Sequence, residues 1–163
     1  IIIGATQLDE DGRDFIGMLD DVRIYCAALS DDKIAELGGL VTGADCLVVH
    51  YEFEPVTVYN ADRDQVLDIQ LDIANNASGG IGNGTLNPNA PRSAQINAFQ
   101  TTTSPSLGGS GVFVTDGSAW IDTNASADAA GVNGDTDYTM MAWIKPTPAG
   151  REDRMVFAQP LQE

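Results

Sequence analysis

Turn residues divide the apolar positions of this chain into short runs. In one run Val22, Ile24 and Cys26 alternate with Arg23 and Tyr25, the period of two that is typical of a half-buried β-strand. Glycine, asparagine and aspartate follow most such runs, and these residues favour turns because they tolerate backbone angles that others avoid. This pattern predicts an all-β fold, an antiparallel β-sandwich or jelly roll.

Further strand-like segments complete this prediction. They lie at residues 1–4, 47–53, 66–73, 111–114, 119–121, 138–146 and 155–158. Because Asp116-Gly117 stands between two of them, those two are predicted to form a β-hairpin. A long stretch rich in Asn, Gly, Ser and Thr, residues 60–110, is predicted to be mostly irregular.

A single short helix is predicted near residues 30–37. Ser30 suits the N-cap, and Asp31 and Asp32 fall in the first turn, where the helix dipole favours negative charge. Gly38 and Gly39 are expected to end the helix.

The charge balance is strongly acidic, with 24 Asp and Glu against 8 Lys and Arg and a net charge of −16. Nucleic acid and anionic membrane surfaces both attract basic proteins, so neither is an expected partner. No apolar run approaches the ~18 residues that a membrane span needs, which argues against membrane insertion. A salt-rich environment or calcium-binding loops would each explain the acidity, and the two explanations are compatible.

Two cysteines, Cys26 and Cys46, lie 20 positions apart with the predicted helix between them. No CxxC pair or zinc-like spacing accompanies them, so a metal or redox role is not indicated. In an extracellular protein they would form a disulfide worth about 3 kcal/mol in the loop-entropy description. Two buried thiols are the alternative.

Residues 15–25, with the sequence FIGMLDDVRIY, resemble the end of laminin-G-like domains. The segments Ala28–Ser30 and Ile34–Leu37 extend the similarity through the short helix that closes such domains. These domains belong to the concanavalin-A-like jelly rolls, which also include pentraxins. The resemblance implies an extracellular jelly-roll sandwich of lectin type.

Four later segments resemble the beginning of the same kind of domain, in the order in which such domains contain them. They are Leu47–Phe53, Gly82–Leu86, Val112–Ser118 and Tyr138–Pro146. The domain-ending motif therefore precedes the domain-starting motifs, and the middle strands of the family have no counterpart here.

This order has two explanations. In the favoured one, residues 1–39 finish one module, 40–45 form a linker, and 46–163 begin a second, truncated module. The chain starts on Ile1-Ile2-Ile3-Gly4, as if within a strand, which suggests a piece of a longer protein. In the alternative, a permuted arrangement, the first segment packs with the second, and a neighbouring chain could supply the missing strands.

A calcium site is predicted in the loop before residue 15, by its position in pentraxin-type relatives. The candidate ligands are Asp9, Glu10, Asp11 and Asp14. Calcium prefers several oxygen ligands on a flexible loop. A solvated acidic turn is the alternative, and Asp20 and Asp21 are expected to be structural.

Five other residues are candidates for modification or for carbohydrate contact. Asn76, Asn83 and Asn124 each begin an Asn-X-Ser/Thr glycosylation pattern. Trp120 and Trp143 could stack on sugars, but the strand alternation favours the core for both.

Catalysis is not expected. The chain lacks the E-x-D-x-x-E strand of related glucanases, and its one histidine, His50, follows Val48 and Val49 as if in strand packing. The predicted function is a non-catalytic binding or adhesion module of a secreted or surface protein, with a glycan or an extracellular protein as ligand. Adjacent modules or neighbouring subunits are the other expected partners. The alternatives are a structural repeat of a filament or surface layer, and the appendage of a secreted carbohydrate-active enzyme.

Overall fold

The computed structural model describes residues 1–5, 14–37, 46–54, 59–60, 65–66, 72–77, 80–101, 111–133, 136–148 and 155–158. Over this part of the chain the structure is mainly β-strand with two short helices. In chain order the elements are β1 (Ile2–Ile3), β2 (Ile16–Tyr25), α1 (Asp31–Leu37), β3 (Leu47–Tyr51), β4 (Tyr59–Asn60), β5 (Gln65–Val66), β6 (Asp72–Ile73), β7 (Gly84–Leu86), α2 (Arg92–Asn97), β8 (Phe99–Thr101), β9 (Gly111–Asp116), β10 (Ile121–Asp122), β11 (Thr139–Pro146) and β12 (Phe157–Ala158).

The strands form two main antiparallel sheets. The first has the order β12-β1-β10-β7-β6, and we call it the β1 sheet. The second has the order β11-β2-β9-β8, and β3 also pairs with β2; we call it the β2 sheet. Strands β4 and β5 pair with each other. The all-β prediction is confirmed at this level.

One buried cluster joins the two sheets. Ile3, Leu86 and Ile121 enter it from the β1 sheet, and Leu19 and Phe113 enter it from the β2 sheet. Because both sheets contribute their apolar faces to the same core, the arrangement is sandwich-like.

Tyr51 crosses this core from the β2 sheet to the β1 sheet. Its ring lies against Gly84, where an added Cβ would come within 3.0 Å of the hydroxyl oxygen. Burial, reinforced by the charge of Asp122, raises the pKa of Tyr51 well above its ordinary value.

The two motif-bearing segments share both sheets. Strand β1 lies between β10 and β12, and β2 lies between β11 on one edge and β9 and β3 on the other. The described parts of residues 1–37 and 46–158 therefore pack together in both sheets. Their assignment to two modules stays a prediction. The division at 40–45 falls outside the described residues.

The predicted hairpin around Asp116-Gly117 is wrong. Strand β9 belongs to the β2 sheet, whereas β10 belongs to the β1 sheet. Gly117, with a φ of +94°, turns the chain between them, and the Thr115 hydroxyl braces the corner by donating to Ala119 O at 2.7 Å and accepting from Gly117 N. Phe113 enters the core from the β2 sheet and Ile121 enters it from the β1 sheet, so the turn between them passes from one sheet to the other.

The helix prediction is confirmed for α1, but α2 was not predicted. Lys33 N donates to the Ser30 hydroxyl at 3.3 Å, so Ser30 acts as the expected cap. Helix α2 begins after Pro91, within the segment predicted to be irregular, and its Ala94 packs against the core. Of the predicted strand at 66–73, only the two ends are described, in β5 and β6, and residues 67–71 lie outside the described residues.

Cys26 and Cys46 form the predicted disulfide, with their Cα atoms 5.4 Å apart. Cys26 N also donates to Cys46 O at 3.0 Å, so the bridge ties the end of β2 to the start of β3. A disulfide is compatible with an extracellular protein. The helices that the structure describes are too short to cross a membrane.

Gly131 lies directly against this disulfide. Its φ is +67°, and an added Cβ would come within 2.8 Å of the Cys26 Cβ. Gly82 has the same φ of +67°, but an added Cβ would meet nothing within 4 Å. Alanine substitutions at the two glycines therefore distinguish the cost of backbone strain from the cost of steric overlap.

We expect Gly131→Ala to lower the free energy of unfolding by about 3 kcal/mol, from strain plus overlap. Gly82→Ala should cost only about 1 kcal/mol, from strain alone. Urea unfolding of the oxidised protein measures both values. Equal costs for the two variants would contradict the close packing of Gly131 on Cys26.

Candidate functional site

An irregularity in β2 creates the most polar buried region that the structure describes. Between the pairs Met141–Arg23 and Trp143–Asp20, β11 advances by two residues while β2 advances by three. This mismatch is a β-bulge, and Asp21 within it has a φ of +49°. Asp21 N donates to the Asp20 carboxylate at 2.8 Å.

The Asp21 carboxylate binds two cationic or potentially cationic side chains. Arg23 Nε donates to Asp21 Oδ1 at 2.8 Å, and His50 Nε2 lies 2.8 Å from the same oxygen. His50 also lies 3.7 Å from Glu52 Oε1. We call Asp21, Arg23, His50 and Glu52 the charged cluster.

Most of the charged cluster is shielded from solvent. Asp21 and Arg23 are only 4% and 6% exposed. Burial by itself would raise the pKa of Asp21, but the hydrogen bond from His50 and the charge of Arg23 outweigh it and hold that pKa below its ordinary value. Asp21 is therefore ionised at neutral pH, and Arg23 neutralises it.

Two asparagines after β6 hold β3 in place beside the cluster. The Asn75 side chain accepts from His50 N at 2.9 Å and donates to Val48 O at 2.9 Å. The Asn76 side chain donates to Glu52 Oε2 at 2.6 Å. The backbone of His50 and the carboxylate of Glu52 are thus both positioned from the segment that follows β6.

Strand β11 places Trp143 on the same face as the cluster. Its Ile144 pairs with the core residue Leu19, so the adjacent Trp143, paired with Asp20, faces away from the core. Trp143 is 53% exposed. The expectation that it lies in the core is wrong because the register of β11 against the bulge turns it outward.

Arg23 and His50 also pair directly across β2 and β3. Since paired residues point to the same side of a sheet, both lie on that face. We call the surface formed by Trp143, Met141 and the charged cluster the outer face. Trp120, the other tryptophan, is half-buried beside β10.

The predicted calcium ligands are only partly described. Asp9, Glu10 and Asp11 lie outside the described residues, whereas Asp14 is half-buried and forms an isolated bridge with Met155. Within the described ranges, no group of three or more His, Cys, Asp or Glu is arranged to hold a metal ion. The calcium site stays a prediction.

The three glycosylation candidates are all exposed. Asn124, with a φ of +56°, donates from its side chain to Asn83 O at 2.9 Å and to Thr85 Oγ1 at 2.7 Å. Asn83 Oδ1 accepts from Asn75 N at 3.1 Å. These side chains thus belong to one hydrogen-bonded group at the ends of β7 and β10, and Asn76 contacts Glu52 as described above.

The role of His50 was missed in the sequence. The alternation of β3 could have placed His50 on the face opposite Val49, and the alternation of β2 could have placed Arg23 on the face opposite Ile24. The pairing of β2 with β3, which brings them to Asp21, could not be deduced from either segment. Asp21 itself is structural, as expected.

Comparison with known proteins gives no further guide, since this chain matches no protein family, no curated protein and no solved structure. The outer face therefore has to be interpreted from its own residues. It combines a flat exposed indole with carboxylate, imidazole and guanidinium groups held at fixed positions.

Replacing Asp21 tests whether the charged cluster stabilises the fold. We expect Asp21→Asn to lower the free energy of unfolding at neutral pH by about 3 kcal/mol, because Arg23 is left buried without a counter-ion. Since the folded-state pKa of Asp21 is lowered, its contribution is present above about pH 5 and is lost as the pH falls through the folded-state pKa. The variant should therefore lose less stability than the wild type on acidification.

The matched control is Asp116→Asn in the same sheet. The Asp116 carboxylate also has a lowered pKa, caused by hydrogen bonds from Ser118, but this residue is exposed. Exposed interactions contribute little, so this variant should unfold almost as the wild type does. Equal losses at neutral pH from both substitutions would contradict a buried ion pair at Asp21.

Proposed function

We propose that this chain belongs to a non-catalytic extracellular binding or adhesion module of the laminin-G-like, concanavalin-A-like jelly-roll type. Its ligand, a glycan or an extracellular protein, binds the outer face. The sequence motifs support the family, and two antiparallel sheets around one core agree with it. The disulfide favours an extracellular role.

The observation that carries this proposal is the exposure of Trp143 beside the charged cluster. An indole offers a flat apolar surface together with one N–H donor, which is why tryptophan is enriched at binding surfaces. A sugar ring likewise combines apolar C–H faces with hydroxyl groups around its edge. Trp143 would stack on the ring, and Glu52, the more open member of the cluster, would accept hydrogen bonds from hydroxyl groups.

Calcium enters the proposal through the acidic loop. Asp9, Glu10, Asp11 and Asp14 supply the hard carboxylate oxygens that calcium prefers. A bound cation would also reduce the net negative charge that the chain presents to a ligand.

We expect Trp143→Ala to weaken ligand binding about 30-fold, corresponding to about 2 kcal/mol for a tryptophan anchor. A glycan panel screened with the wild-type protein in calcium, and again in a chelator, identifies the ligand and tests the cation. Titration of each variant with that ligand then measures the affinity.

Tyr138→Ala is the matched control. Tyr138 is similarly exposed but precedes β11 and has the opposite parity to Trp143 along the strand. Tyr138→Ala should leave the affinity for the ligand unchanged. The proposal of a glycan ligand fails if the panel gives no binding in either buffer, or if both variants bind as tightly as the wild type.

A second candidate function, a structural repeat, is favoured by the edge of the β2 sheet. Strand β11 is the last strand of that sheet, and no other described strand pairs with its outer edge. It is eight residues long, and Trp143 and Ile144 are half-exposed on its opposite faces. Long apolar edge strands tend to pair with strands of other molecules.

The structural alternative predicts that the wild-type protein assembles through β11. Ile144→Lys should abolish this assembly, because an inward-pointing charge on an edge strand opposes pairing with another molecule. Light scattering as a function of concentration and salt measures the assembly. A wild-type protein that stays monomeric throughout would exclude the structural alternative.

A further inference from the structure

The first 25 residues provide inner strands of both sheets. Strand β1 has a partner on each edge, β10 and β12, and β2 has β11 on one edge with β9 and β3 on the other. Without them, the strands from residue 46 onward would leave an open gap in each sheet. Strands β1 and β2 therefore fill gaps between the strands that come from residue 46 onward.

The core-facing side chains of β1 and β2 are strongly apolar. Ile3, Leu19, Val22 and Ile24 have no exposed surface, and they pack in the same cluster as residues of β7, β9 and β10. Any copy of residues 1–25 would fit the gaps of any copy of residues 46–158, because both sides of the contact are present in every molecule.

The connection between the two parts contributes little to the core. None of its described residues, 27–37, belongs to the buried cluster, and Ile34 of α1 is 39% exposed. The 20 positions from Cys26 to Cys46 can span up to about 65 Å when extended. A connection of that length would let residues 1–25 reach a second molecule without any change in the core.

We propose that residues 1–25 are exchanged between two copies of this chain, giving a reciprocal strand-exchanged dimer. Each half of the dimer would keep the pairing seen in the single chain, with β1 and β2 supplied by the other copy. Exchange of identical elements is a low-cost route to dimers because it creates no new interface within the core.

Formation of the Cys26–Cys46 disulfide fixes the protein either as the monomer or as the exchanged dimer. Cys26 follows β2 and Cys46 precedes β3, and these two strands pair, so the cysteines stay adjacent whichever copy supplies β2. In the exchanged dimer, Cys26 of one copy therefore bonds to Cys46 of the other. The two thiols give up two protons and two electrons to oxidised glutathione, which becomes two reduced molecules. A disulfide formed within one chain locks the monomer.

The test uses the full chain in two isotopic forms. Unlabelled and ¹⁵N-labelled protein are mixed equally, reduced, unfolded, and refolded together at low and at high concentration with a glutathione redox pair. High salt is included because each copy carries a net charge of −16 and screening reduces the repulsion. The monomer and dimer fractions are digested, and the Cys26–Cys46 peptide is analysed by mass spectrometry.

We expect a dimer at high concentration in which about half of the linked peptides combine one light and one heavy partner, as random pairing requires. The monomer fraction should contain only like-labelled pairs. Monomer alone at every concentration, or a dimer with only like-labelled disulfides, would overturn the proposal.

Two variants separate strand exchange from other association. Ile144→Lys should still give the mixed-label dimer, since the outer edge of β11 is not used in the exchange; loss of that dimer would overturn the proposal. Cys26→Ser should still form the dimer, but without a covalent link. The outcome does not depend on ligand binding at the outer face, so the two proposals can fail separately.

Discussion

The β2 strand determines where most of the second sheet lies. It runs for ten residues and forms hydrogen bonds along both edges, with β11 over almost its full length and with β9 and β3 in succession on the other side. The change from β9 to β3 occurs at Asp20 and Asp21, where the bulge interrupts the strand. The bulge bends β2 between two neighbours, so one strand can organise two parts of the core.

The bulge also explains why charged groups are buried on a sheet face. A buried ion pair gains little over an apolar pair of the same size, so stability alone does not account for Asp21 and Arg23. The positive φ of Asp21 adds about 1 kcal/mol of strain. The cluster favours one register of β3 against β2, because Asp21 accepts a hydrogen bond from His50 only when the two strands are correctly aligned. A slip of one residue would leave Asp21 and Arg23 buried without His50 and would turn Val49 out of the core.

Residues close together in sequence predicted the strands and the helix of this fold better than they predicted which strands lie side by side. The alternation in β2, the cap at Ser30, the apolar run of β11 and the cysteine pair each depend on residues close in sequence, and the structure contains all four features. The hairpin, the burial of Trp143 and the role of His50 depend on which strands lie side by side. Contacts at long sequence separation fixed those outcomes, and the residues next to each position do not show which strands pair there.

The charges restrict what the outer face can bind. Within the charged cluster Arg23 balances Asp21, which leaves the half-buried Glu52 carboxylate as the more open charge, next to His50. The chain as a whole carries a net charge of −16, so an anionic ligand would approach against both the local and the overall potential. A neutral ligand meets no such barrier, because stacking on Trp143 and hydrogen bonds to Glu52 require no opposite charge. If the outer face binds glycans, as we propose, neutral glycans would fit it better than sulfated or sialylated ones, because no positive charge among the described residues of that face offsets the charge of Glu52.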